Sequence, residues 1–133
     1  MLEARQGKEI QVTIKNEIGA LGKLTKMLAE QGVNVLAVNS RVEEGEAHFK
    51  LITEDMLRTM DLLHEHGYEP RQLNVVIVEC EHRPGILKHL TDRLVFHEVN
   101  IYYLYVTATL DQEECLVVLS TSNNQRAIIE LNW

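Results

Sequence analysis

The run "EIQVTIK", residues 9–15, alternates: Ile10, Val12 and Ile14 fall on one side, Gln11, Thr13 and Lys15 on the other. A period of two predicts a β-strand with one buried face. Past it the period changes. Over 19–31, Leu21, Leu24, Met27 and Leu28 make one apolar stripe opposite Lys23, Lys26 and Glu30, which predicts an amphipathic helix closed by Gly32. "VNVLAVNSRV", "EEGE" and "AHFKLIT" then predict a hairpin. Thr53, Glu54 and Asp55 open a second helix, with acids where the helix dipole favours them. Met56, Met60 and Leu63 supply its buried side, and Gly67 closes it.

The same phrasing returns. "NEIGALGKLTKMLAEQGVNV" lies on "HRPGILKHLTDRLVFHEVNI" without a gap, pairing Gly19 with Gly85, Leu21 with Leu87, Leu24 with Leu90, Leu28 with Leu94 and Asn34 with Asn100 at a constant step of 66 residues. Register kept through a turn, a helical face and the following strand entry indicates an internal duplication. The second copy predicts a strand over 74–81, a helix over 85–97, strands over 99–109 and 113–121, and a helix from about 123.

The expected fold is therefore α+β: two ferredoxin-like βαββαβ modules, antiparallel sheets with helices on one face, the second lacking its last strand. The expected division is a polar leader over 1–8, one module over 9–73 and another over 74–133. A missing last strand leaves one edge of "NVVIVEC" uncovered, so the linker "YEPRQLN" or a neighbouring molecule is expected to cover it. Three tyrosines on one strand, Tyr102, Tyr103 and Tyr105, cannot all face one core, so at least one lines an open sheet face, an interface or a ligand.

Composition narrows the function. The chain has 133 residues, 45% hydrophobic and 25% charged, as soluble globular proteins do. Its net charge of −7 withholds the counterion-release gain behind phosphate-backbone binding, so nucleic acid is not an expected partner. No apolar run suits a bilayer or a secretory signal, so no membrane is expected and the cytoplasm is the expected location. Cys80 and Cys115 then read as two buried thiols acting as small apolar groups.

The six histidines suggest no metal site. His64 and His66 point to different sides of a helix end, His89 and His97 lack an acid or cysteine at ligand spacing, and His48 alternates outward in a strand. No nucleophile motif or phosphate loop is present either, so neither catalysis nor a cofactor is expected. The strand-to-helix turns offer more. In "HRPG", Pro84 fits just inside a helix start and Gly85 permits close approach of another group. First-turn N–H groups suit a carboxylate, Arg83 adds a charge-assisted bond, and His82 donates or accepts according to pH. From spacing alone, a tight turn without a ligand is the equal alternative.

A βαββαβ unit that opens with Pro-Gly-x-Leu, runs into a leucine-faced helix and enters its second strand through "GVNI" resembles the ACT domain family. The matches are "NEIGAL" with "GVNV" and "HRPGIL" with "EVNI". The resemblance covers about residue 9 to the end as a tandem pair, and it is most similar to small stand-alone proteins of two ACT domains. It implies amino-acid-sensing modules that pair side by side and hold a free amino acid at the interface. The contacts it implies are Asn16, Glu17, Ile18, Gly19, Ala20, Leu21, Asn34 and Val35 in the first copy. In the second they are His82, Arg83, Pro84, Gly85, Ile86, Leu87, Asn100 and Ile101. Two departures stand out. Ile18 replaces a common proline beside a carboxylate-repelling Glu17, and His82 stands where an acid or asparagine is common.

The expected function is thus regulatory binding of a free amino acid or similar small zwitterion at turns between paired modules. A homodimer and a regulated protein are the expected partners. The alternative is a ligand-free structural or dimerisation module acting on a partner protein.

Overall fold

The computed structural model describes residues 2–132. In chain order these form β1 (Leu2–Lys15), α1 (Ala20–Glu30), β2 (Val35–Glu43), β3 (Glu46–Thr53), α2 (Met56–Glu65), β4 (Arg71–Glu81), α3 (Ile86–Phe96), β5 (Ile101–Thr107), β6 (Glu114–Thr121) and α4 (Asn124–Leu131). The architecture is the expected α+β fold of two ferredoxin-like modules. The described residues divide into a first unit, residues 8–73, and a second, residues 2–7 with 74–132.

In the first unit the strand order is β2-β3-β1. β3 pairs antiparallel with both neighbours, Val12 opposite Phe49 and Ser40 opposite Phe49. The side chains of Ile10, Val12, Ala47, Phe49 and Leu51 meet Leu24 and Leu28 of α1 and Leu62 and Leu63 of α2 in one apolar core. Each fully buried leucine contributes roughly 1.5–3 kcal/mol, an upper estimate because the unfolded chain already hides some surface. Met56 and Met60 pack at the margin of this core, whereas Thr59 is fully buried and its hydroxyl donates to the Asp55 carbonyl at 2.7 Å. Asp55 is the N-cap of α2, accepting from the Arg58 N–H at 3.1 Å. The acids expected inside that helix therefore precede it.

In the second unit the order is β1-β4-β6-β5. Val76, Val78 and Cys80 lie in register with Leu119, Val117 and Cys115, over Leu90 and Leu94 of α3 and Ala127 and Leu131 of α4. The two helices are also pinned electrostatically. The Glu130 carboxylate meets His97 Nε2 at 2.8 Å and Arg126 Nε at 3.0 Å, while Arg93 Nε donates to the Glu130 carbonyl at 2.9 Å.

Residues 2–8 correct the expectation of a polar leader, because they are the first half of β1. Ala4 is buried in the second unit's core, Leu2 packs against that core, and Ile77 lies across Gly7. Ala4 exchanges two bonds with the Asn132 amide: its N–H donates to Oδ1 at 2.7 Å and its carbonyl accepts from Nδ2 at 2.8 Å. Arg5 meets Glu79 at 3.7 Å and Gln6 donates to Asn74 at 3.3 Å. The edge of β4 is thus covered by this chain's own N-terminal strand rather than by "YEPRQLN" or a neighbouring molecule. An unpaired strand edge in a small domain is costly, and a distant piece of the same chain supplies the missing partner.

Candidate functional site: two equivalent turn cavities

Each first helix of a copy starts from the same backbone device. Gly19 and Gly85 hold φ of 83° and 86° with ψ near zero, and both are the N-cap of the helix that follows. The Ala20 N–H donates to the Glu17 carbonyl at 3.2 Å, and the Ile86 N–H donates to the Arg83 carbonyl at 3.3 Å. A four-residue turn closed by that bond, with positive φ at its third residue, is type II. It favours proline second and glycine third, which is how Pro84 and Gly85 sit. Pro84 therefore stands before the N-cap, not inside the helix as its sequence context suggests. No side chain caps either helix start.

The next tie is to the hairpin tip. The Asn16 N–H donates to the Gly45 carbonyl at 2.9 Å, and the His82 N–H donates to the Glu113 carbonyl at 2.6 Å. These bonds hold each turn against the far end of its second strand, and a cavity opens between them. In the first unit it measures about 220 Å³ and is lined by Asn16, Glu17, Gly19 and Ala20, then Leu21 and Gly22, with Ser40, Val42, Ala47 and Phe49. In the second it measures about 390 Å³ and is lined by His82, Arg83, Gly85, Ile86, Leu87 and Lys88, with Val106, Ala108 and Cys115.

The two linings coincide at every position but one, Phe49, which lines only the first cavity. The step is 66 residues through the turn, helix start and second strand. From the next strand on it is 68, because Glu46 corresponds to Glu114 across a hairpin two residues longer. The charges differ. The first cavity carries Glu17, whereas the second carries Arg83 and Lys88, ion-paired to Glu81 at 3.2 Å and to Asp92 at 2.5 Å.

Of the residues singled out from the sequence, Asn16, Glu17, Gly19, Ala20 and Leu21 come together, as do His82, Arg83, Gly85, Ile86 and Leu87. Ile18 projects into solvent at its turn. Asn34, Val35, Asn100 and Ile101 lie elsewhere. They sit at the opposite end of their helices, about 16 Å away for eleven residues at 1.5 Å each. There the Asn34 carbonyl accepts from the Glu54 N–H, and Asn100 exchanges bonds with Ser122. The unit instead brings the last residues of its second strand to the turn. Strand length was the signal for this: a strand of seven to nine residues spans roughly 23–30 Å and returns to the turn.

The ACT domain pair model matches residues 6–132. The chain belongs to the ACT domain pair family. Among solved structures, this ACT domain pair is similar to a protein of Bacteroides thetaiotaomicron, at 24% identity and a TM-score of 0.88, covering 97% of this chain and 88% of that one. It is also similar to the regulatory subunit of aspartate kinase from Thermus thermophilus, in its ligand-free form, at 15% identity and a TM-score of 0.66, covering 97% and 94%. The aspartokinase alpha and beta subunits match at 14% and a TM-score of 0.68, covering 98% and 95%. Among curated protein sequences, none matches this one. Among the described residues, no helix is long and apolar enough to cross a membrane, and no group of three or more His, Cys, Asp or Glu could hold a metal ion.

Proposed function

We propose that this ACT domain pair is a regulatory protein that holds a free amino acid, or a similar small zwitterion, at its second strand-to-helix turn. The observation that carries the reading is the repeated cavity: two turns, each built on a left-handed glycine and a helix start, lined from matching positions. At the second turn the ligand carboxylate meets the first-turn N–H groups of α3, where the helix dipole is positive. Arg83 and Lys88 add cationic charge beside it. The ligand side chain lies against Ile86, Leu87, Val106 and Ala108. A second copy of the chain closes the open side, giving a homodimer, and a protein partner reads the bound state. The module binds and reports without turning its ligand over, in a cytoplasmic setting. The likeness to aspartate kinase regulatory subunits supports the regulatory role.

The first turn favours the alternative for its own half. Glu17 repels a carboxylate and the space is about 220 Å³, so there the motif serves as a ligand-free pairing element.

Thermal denaturation with a panel of free amino acids tests the proposal. At a hundredfold excess over its dissociation constant, the cognate amino acid stabilises the fold by about 2.7 kcal/mol. The variant Arg83→Glu lowers that response, whereas Glu17→Gln preserves it. No shift with any amino acid overturns the reading.

A further inference from the structure

Cys80 and Cys115 are 35 residues apart, a spacing that suggests no joint chemistry, yet the register of β4 and β6 sets them directly opposite each other. Their sulfurs are 3.2 Å apart, and both thiols are free. Directly opposed residues of antiparallel strands have Cα atoms about 4.5–5.5 Å apart, inside the range a disulfide spans. The sulfurs need close by only about 1 Å to bond. The fold does not require thiols here. The equivalent positions of the first unit, opposite a comparable strand, are Ile14 and Ala47. The two thiols also differ in access. Cys115 lines the second turn cavity beside Arg83 and Lys88. Cys80 lines a separate cavity of about 180 Å³ among Glu3, Glu79, Glu81 and Glu114, whose charge opposes an anionic small disulfide.

We propose that Cys80 and Cys115, the two cysteines of the chain, form a reversible dithiol–disulfide site, reached through the second turn cavity by a small-molecule disulfide. The Cys115 thiolate displaces one half of the small disulfide, forming a mixed disulfide and releasing a small thiolate. Cys80, as thiolate, then attacks Cys115 Sγ, forming the Cys80–Cys115 bond and releasing the second small thiol. Two protein thiols are oxidised, one small disulfide is reduced to two thiols, and the two protein protons end on those products. The order follows from access and from charge. Burial, then the hydrogen bond and charge of Cys115, pushes the Cys80 thiol up to about 12, so Cys80 rests protonated. Capping Cys115 removes the last two causes, leaving burial, and so moves the Cys80 thiol back towards its ordinary value and makes its thiolate more accessible for the second step.

The experiment treats reduced full-length protein with graded ratios of oxidised to reduced glutathione, followed by intact mass and non-reducing electrophoresis. Circular dichroism first confirms that each protein is folded. The wild type is expected to lose two hydrogens as a monomer, and to regain them with dithiothreitol. Cys80→Val is expected to accumulate one glutathione adduct at Cys115. Cys115→Ala, which carries the residue that the first unit already has, is expected to react at Cys80 slower by about tenfold or more. Two free thiols persisting at every ratio overturn the proposal, as does a lasting glutathione adduct on the wild type or a disulfide between chains. Equal adduct formation on the two single-cysteine variants overturns entry through Cys115.

Discussion

The two turn cavities are lined from corresponding positions, yet one measures about 390 Å³ and the other about 220 Å³. The difference arises in the strand beneath the turn. Phe49 forms part of the first cavity's wall, and Val117 occupies the equivalent place in the second unit, paired with Val78 as Phe49 is with Val12. An aromatic ring fills space that a valine leaves open. The surrounding charge differs in the same sense, with Glu17 in the smaller cavity and Arg83 with Lys88 in the larger. The backbone device is thus common to both copies, and the side chains divide them into a filled turn and an open one.

The two units also differ in how their sheets are completed, and that difference gives the largest expected effect. Deleting residues 2–7 removes Leu2 and Ala4 from the second unit's core, breaks both bonds to Asn132 and bares the edge of β4. The second unit is expected to lose its cooperative unfolding transition, with β4 and α4 amides exchanging rapidly while those of α1 stay protected. Hydrogen exchange read residue by residue checks it, and protection of β4 unchanged by the deletion would break the comparison.

A smaller effect separates the cavities directly. Phe49→Val gives the first unit the residue the second has, and is expected to cost about 2–4 kcal/mol, towards the lower side of large-to-small core changes. Val117→Phe is expected to overpack the second core, costing about 1–3 kcal/mol and shrinking its cavity. Denaturant unfolding measures both. If the first variant is neutral, the ring is not what fills the smaller cavity.

The alkaline limb of stability sharpens the thiol half of the comparison. The Cys80 thiol is pushed from an ordinary value of 9.0 up to about 12, chiefly by burial. Above about 9 the unfolded chain releases this proton while the folded chain keeps it, so the unfolded state binds fewer protons and stability falls as pH rises towards 12. Below 9 the contribution is fully present. Cys80→Val is expected to flatten the decline between pH 9 and 10.5 relative to the wild type, in reducing buffer. Parallel pH profiles would refute the assignment.

Much of this was legible in the sequence, and the misses share a cause. Helix faces and turns were readable because Leu21, Leu24 and Leu28, or Leu87, Leu90 and Leu94, repeat at a period that only a helix satisfies. The turn at Pro84 and Gly85 was readable from those two residue types, whereas the left-handed φ of Gly19 and Gly85 came only with the structure. What escaped depended on pairing between distant segments. The segment over 2–8 carries only Leu2 and Ala4 as inward apolar residues, because a strand that covers an edge needs backbone more than side chains. Cys80 and Cys115 meet through strand register, and register appears in the sequence only after the step of 66 residues widens to 68 across the longer hairpin. The cavity walls at Ser40, Val42, Val106 and Ala108 were missed for a related reason. The family resemblance drew attention to the strand entries at Asn34 and Asn100, whereas the strand ends return to the turn.

The smallest expected effect concerns the other end of the same helices. Both α1 and α3 close with a bond from two residues past the cap to the last turn: the Val33 N–H donates to Leu28, and the Val99 N–H to Leu94, each at 2.9 Å. That closure needs a left-handed residue between cap and donor. The first unit supplies Gly32 at φ 75°, and the second supplies Glu98 at φ 58°. A residue with a Cβ is strained there by about 1 kcal/mol, part of which glycine returns through the greater freedom of its unfolded chain. Glu98→Gly is therefore expected to stabilise the second unit by about 0.5–1 kcal/mol, and Gly32→Glu to destabilise the first by a similar amount. Equilibrium denaturation of the two reciprocal variants decides it. Opposite signs would show that the helix ends are one device with unequal residues, whereas a loss in both would mean that the Glu98 side chain stabilises the fold in a way its backbone geometry does not reveal.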